Sequence, residues 1–158
     1  FPSAVFLGTL LLLSHPANAG SASVINGDTL EWKGEWISLQ GVDAPELDQP
    51  CDRDGKIWLC GKEARKALAG WLGDRDVVCI GDERDTYGRL LAYCSVDGKD
   101  VGKWVLERGL AIANGPVSYE HQEAEHRAKS DKVGVWAGDF EKPWKWQLRK
   151  HLEVKKEK

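Results

Sequence analysis

An α+β fold, a small five-stranded β-barrel carrying about three α-helices, is what this sequence predicts, and three observations predict it. Short runs rich in β-branched and aromatic residues recur in both halves of the chain, separated by turns bearing Gly and Asp. One amphipathic segment interrupts them, and two further helical segments follow. The length agrees, because 158 residues, 42% of them hydrophobic and 30% charged, suit one domain with one core.

Each element has its own signal. Val24-Ile25, Thr29 to Lys33 and Trp36 to Val42 read as a meander, with Lys33-Gly34-Glu35 turning between the second and third strands. Ala64, Ala67, Leu68, Trp71 and Leu72 fall at i, i+3, i+4, i+7 and i+8, one apolar helical face that Gly73 ends. Val77 to Ile80 and Leu90 to Val96 form a second strand pair around the Asp85-Thr86-Tyr87-Gly88 turn. Val101, Trp104, Val105 and Leu106 mark a second helix stopped by Gly109, and Ser118 caps a third, charged one reaching about Lys132, before Gly134. A helix inserted after the third of five strands is the arrangement of an oligonucleotide-binding barrel. Trp36, Trp71, Trp104 and Trp136 sit at periodic apolar positions and are expected in the core. Trp58, Trp144 and Trp146 lie in loop-like or terminal segments, and Pro143-Trp144-Lys145-Trp146 is expected to pack the end of the chain onto the barrel. His121 and His126 fall on the charged helix and are expected to be solvated.

The ends differ in kind. Ala4 to Leu13 is an apolar run followed by His15-Pro16 and the small-residue triplet Ala17-Asn18-Ala19, so residues 1–19 read as a secretory signal peptide trimmed at its start and cleaved after Ala19. The run is too short to span a bilayer comfortably and no second one follows, so no membrane anchor is expected. The domain proper is expected over residues 20–148, and residues 149–158 as a solvated, charged tail. Export to the periplasm or the medium makes the four cysteines legible as disulfides. Cys79 and Cys94 lie almost symmetrically about the Asp85 to Gly88 turn, so a hairpin sets them opposite each other, and Cys51 and Cys60 are left to close a small loop. A structural zinc site would need a Cys-x-x-Cys pair or clustered histidines, and neither occurs.

Net charge is −3, and Lys and Arg are scattered (Lys62, Arg65, Lys66, Arg84, Arg89, Lys99, Lys103, Arg108), which argues against a broad basic face gripping a polyanion. The chemistry lies in three segments: Gly27-Asp28-Thr29, Gly41-Val42-Asp43-Ala44-Pro45-Glu46 and Asp85-Thr86-Tyr87-Gly88-Arg89. Taken singly, these are a hairpin turn, a strand exit with a solvated acid, and a surface ion-pair partner. Taken together, they hold what phosphodiester cleavage needs: carboxylates for a divalent metal, a base for water and a cation for the phosphate.

These segments carry a resemblance. With Leu39-Gln40, Cys60-Gly61-Lys62-Glu63-Ala64, Leu90-Leu91-Ala92, Leu106-Glu107-Arg108-Gly109-Leu110-Ala111 and Gly134-Val135-Trp136, their order and spacing over residues 22 to about 146 resemble the staphylococcal (thermonuclease-like) nuclease family. The resemblance implies one Ca²⁺ held by Asp28, Asp43 and the Ala44 backbone carbonyl, Glu46 as general base and Arg89 neutralising the phosphate and leaving oxygen. Asp85 and Tyr87 shape the hairpin turn or touch substrate. Two departures follow. Ser38 stands where the family usually places a phosphate-gripping arginine, a loss on the order of a hundredfold in turnover. Ile112-Ala113-Asn114-Gly115-Pro116 replaces a segment where relatives place substrate-contacting tyrosines. The expected function is therefore a Ca²⁺-dependent nuclease, slowed by Ser38, acting as a monomer on single-stranded DNA or RNA. The alternative is a catalytically silent, nuclease-like binding module, secreted or in the cell envelope.

Overall fold

In the main sheet the strand pairs rest on turns and on buried apolar alternation. The computed structural model describes residues 19–157, and the apolar run read as a signal peptide lies outside the described residues. In chain order the strands of the first half are β1 (Ala22–Val24), β2 (Thr29–Trp32), β3 (Glu35–Leu39), β4 (Val42–Asp43), β5 (Pro50–Arg53) and β6 (Lys56–Leu59). Helix α1 (Cys60–Leu72) leads to β7 (Val77–Arg84), β8 (Leu90–Val96) and β9 (Lys99–Asp100). Helix α2 (Val101–Glu107), β10 (Ile112–Ala113), α3 (Tyr119–Ser130), a 3-10 turn (Gly134–Ala137) and α4 (Pro143–Lys156) complete the chain.

The main sheet runs β1-β2-β3-β8-β7, with β9 added to β8. Its β2–β3 turn places Lys33 and Gly34 at φ 52° and 76°, the mirror-image turn that matches strand twist. The long crossover through α1 lets β3 and β8 pair in parallel, Ser38 opposite Leu91. Inward alternation is strict along β8, where Ala92, Cys94 and Val96 are buried. They join Leu30, Ile37, Leu39, Leu68, Leu72 and Val105 in the core. The sheet thus curls into an open barrel over α1 and α2.

Both expected disulfides form. Cys79 and Cys94 are direct cross-strand partners, and Cys51–Cys60 ties the β5–β6 hairpin to the start of α1. That hairpin was not expected. Asp54-Gly55 at its tip, with φ 54° and 73°, is the signal that would have found it.

Three expectations are corrected. Trp36 is 53% exposed, because period-2 alternation on β3 sends Ile37 and Leu39 to the core and leaves Trp36 on the opposite face with Ser38. Trp71 and Trp104 are half-buried at the core's edge, stacked at 4.3 Å between the guanidinium groups of Arg75 and Arg108. His121 is buried, not solvated: with Ala124 and Ala128 it forms the inner stripe of α3, and its Nε2 lies 3.0 Å from Asp100 Oδ2. The charges around that stripe hid it. His126 is exposed.

The charged end of the chain is exposed, yet it forms the last turns of α4 instead of an irregular tail. Pro143 opens this helix, where its fixed φ suits the first turn, and Trp146 buries against the body at 7% exposure. Among the described residues no helix is long and apolar enough to cross a membrane.

Candidate active site

Glycine lets the acidic turns meet. A Cβ on Gly27 would lie 2.7 Å from the Ala44 methyl and 2.9 Å from that of Ala64, so a larger residue would push the first turn off the second and off α1. In that contact the Ala44 N–H donates to Asp28 Oδ2 at 2.7 Å, and the Thr29 hydroxyl donates to Asp28 Oδ1 at 2.8 Å. Each oxygen keeps a lone pair.

Asp43 is set by a different device. Its strand β4 pairs with β10, Ile112 opposite Asp43, and just beyond β10 the Asn114 amide donates to Asp43 Oδ2 at 3.2 Å. The backbone N–H of Trp144, in the first turn of α4, also donates to the Asp43 carboxylate. Glu46 follows at the exit of β4. Gln49, fully buried, accepts from the Glu46 N–H at 3.3 Å and donates to the Glu141 carbonyl at 2.7 Å, which ties this loop to the lead into α4. The Gln147 amide donates to Glu46 Oε1 at 2.6 Å.

Arg89 sits just before β8 and is held on two sides. Its Nε meets Asp85 Oδ2 at 2.6 Å, and its Nη1 donates to Thr29 Oγ1 at 3.0 Å. Asp85 Oδ1 accepts from the backbone N–H groups of Tyr87 and Arg89, both at 2.9 Å, so one carboxylate shapes the turn and aims the guanidinium. Thr29 links the two halves, donating to Asp28 while accepting from Arg89.

Asp28, Asp43, Glu46, Asp85, Arg89 and Asn114 line an open cleft of about 760 Å³ together with Trp36, Ser38, Trp144, Trp146, Gln147, Lys150 and His151. Tyr87 stands at the rim, 81% exposed, with the Arg89 guanidinium 5.5 Å from its ring. The structure brings Asp28, Ser38, Asp43, Glu46, Asp85, Tyr87 and Arg89 to this one cleft. Sequence reasoning missed Asn114, Gln49, Gln147 and Lys150. Pro143 as a helix-opening signal could have found the last two, whereas the other two amides have no local pattern.

Burial raises the Asp28 carboxyl above its ordinary range, while the Ala44 N–H, the Thr29 hydroxyl and Arg89 pull it back. Burial and then the charge of Asp28 push Asp43 from 3.8 to about 7, and the same two causes raise Glu46. Four carboxylates (Asp28, Asp43, Glu46, Asp85) face the two cationic side chains of Arg89 and Lys150 among the lining residues, an excess that one divalent ion would cancel. The donor set is hard oxygen throughout, which suits Ca²⁺ and not a softer metal. Among the described residues no three His, Cys, Asp or Glu side chains converge as a metal cage, so an ion here would rely on two carboxylates plus main-chain, water and phosphate oxygens.

The Asp43 shift carries a sign. Without metal, folded Asp43 holds a proton that the unfolded chain releases above 3.8, so stability falls as pH rises from about 4 to about 7 and is level above that. The full shift corresponds to about 4 kcal/mol, and water in the open cleft reduces this to about 1–2 kcal/mol. Ca²⁺ should therefore raise the thermal midpoint more at pH 8 than at pH 5, and Asp43→Asn should shrink the difference to what the raised Asp28 and Glu46 carboxyls contribute. Equal Ca²⁺ effects at both pH values would contradict this account.

An oligonucleotide-binding barrel with an acidic, arginine-bearing cleft is the architecture of a nuclease family. Residues 36–138 match the model of the Staphylococcal nuclease homologue family, and the chain belongs to that family. It is 42% identical over 135 residues to the succinoglycan biosynthesis protein ExoI of Rhizobium meliloti, covering 80% of this chain and 71% of that protein. Over 126 residues, 72% of the chain, it is 32% identical to endonuclease YncB and 43% identical to the prophage-derived endonuclease YokF, both of Bacillus subtilis. The chain spans only 58% and 42% of the length of those two endonucleases. Asp28 and α4 lie outside the family match.

Proposed function

We propose that this protein is a Ca²⁺-dependent phosphodiesterase that hydrolyses single-stranded DNA or RNA outside the cytoplasm, at a rate reduced by Ser38. The observation that carries the reading is the linked set Asp28–Thr29–Arg89–Asp85 facing Asp43 and Glu46 across one cleft. The endonuclease names of two relatives support the substrate class, and two disulfides support an oxidising compartment.

Asp28, Asp43 and the Ala44 carbonyl would hold the ion. When bound, Ca²⁺ would polarise the phosphate and neutralise the paired carboxylates. Glu46 takes the proton of the attacking water: burial and the charge of Asp28 raise its carboxyl, which makes it a better base, and Gln147 fixes its orientation. Arg89, aimed by Asp85 and Thr29, meets the negative charge that develops on the phosphate and leaving oxygen. Ser38 adds at most one neutral hydrogen bond on the sheet floor.

A second reading rests on ExoI, named for succinoglycan biosynthesis, together with Ser38: a silent barrel that binds an envelope polymer. One assay separates the two. The protein should digest denatured DNA with Ca²⁺ and stop on adding chelator; absence of cleavage at high protein concentration would favour the silent module.

A further inference from the structure

Helix α4 lies beyond the residues of the family match, yet it walls one side of the cleft. That wall is fixed, since the Trp144 N–H binds Asp43, the Gln147 amide binds Glu46, and Trp146 is buried beneath them. Its open surface carries Trp144, 41% exposed, and Lys150 and His151 one to two turns further on. Lys150 Nζ makes a loose surface pair with Glu153 at 3.7 Å and lies 5.6 Å from the Trp146 ring, contacts weak enough for a phosphate to displace. Trp36 stands on the sheet side of the same cleft, beside the uncharged Ser38 and open to solvent.

A polyanion entering this cleft meets four carboxylates, and Arg89 is already committed to Asp85. Beside the metal and Arg89, α4 offers such a strand one further cation, Lys150. Resting on the nuclease reading above, we propose that α4 is part of the substrate site: Lys150 binds a substrate phosphate, and Trp144 with Trp36 stacks bases of a single strand. The strand must be single because a base offers its face to an indole only when it is unstacked from its duplex neighbours. Lysine suits the role as a flexible point charge, without the forked grip of arginine.

The test is binding of a short fluorescein-labelled oligothymidylate in Ca²⁺, in a Glu46→Gln background that keeps the probe intact, read by anisotropy across a salt series. Lys150→Gln should weaken binding about tenfold and reduce the salt slope by about one. Trp144→Ala should weaken it about tenfold with the slope unchanged. Lys155→Ala, on the same helix but away from the cleft lining, should bind as the parent does. Both altered side chains are exposed, so unchanged thermal midpoints confirm the fold. If Lys150→Gln and Trp144→Ala bind as tightly as the parent, α4 is no part of the substrate site, and the nuclease reading stands as long as the protein with Glu46 intact still digests denatured DNA in Ca²⁺. If the parent binds no oligothymidylate, both fall together.

Discussion

Arg89→Ala should lower kcat on denatured DNA by about 10²–10³-fold and change KM much less. The guanidinium reaches the cleft already oriented by Asp85 at 2.6 Å and Thr29 at 3.0 Å, so its charge acts in the transition state without reorganisation. Arg89→Lys should not rescue it, because an ammonium cannot bridge a carboxylate and a hydroxyl while presenting a fork to phosphate. Asp85→Asn should lose about tenfold, as the arginine keeps its charge but loses its aim. Steady-state kinetics decide the matter, and activity within about threefold of the parent for Arg89→Ala would remove Arg89 from the mechanism.

Ser38→Arg should raise kcat by about 10–100-fold. Ser38 sits on the floor of the cleft, between Thr29 on β2 and Leu91 on β8, on the face of β3 that points away from the core. An arginine there extends into open volume and restores a forked cation for the phosphate. Ser38 is itself 9% exposed, so the longer side chain must leave along the cleft, and a modest drop in thermal midpoint is expected. The gain should be larger in a Lys150→Gln background, because two cations serving one phosphate are not additive. Equal gains in both backgrounds would show that the introduced guanidinium and Lys150 act on different parts of the substrate. A Ser38→Arg protein no faster than the parent would place the defect elsewhere in the site.

Much of the fold was legible because its signals are local. The apolar face from Ala64 to Leu72, the Gly73 stop, the Ser118 cap and the pairing of Cys79 with Cys94 each follow from spacing along a few residues. The misses share a cause. Trp36 and His121 look respectively like a core residue and a surface residue by type, and each was decided by the face it occupies. Hydrophobicity names a preference, whereas strand parity and helix phase assign the side. Helix α4 escaped because its sequence is charged nearly all round, and its buried residues are few: Pro143 and Trp146.

Family, barrel, disulfide partners and the acids and arginine of the cleft are legible along the chain alone, since motif order and turn chemistry are written in consecutive residues. Folding in three dimensions is what joins Asp28 to Arg89 through Thr29, sets Asn114 and Trp144 on Asp43, and brings Gln147 to Glu46 across 101 residues of chain. These bonds form between segments that packing alone brings together. A hydrogen bond of 2.6 Å depends on where two backbones have been placed, and no local pattern encodes that.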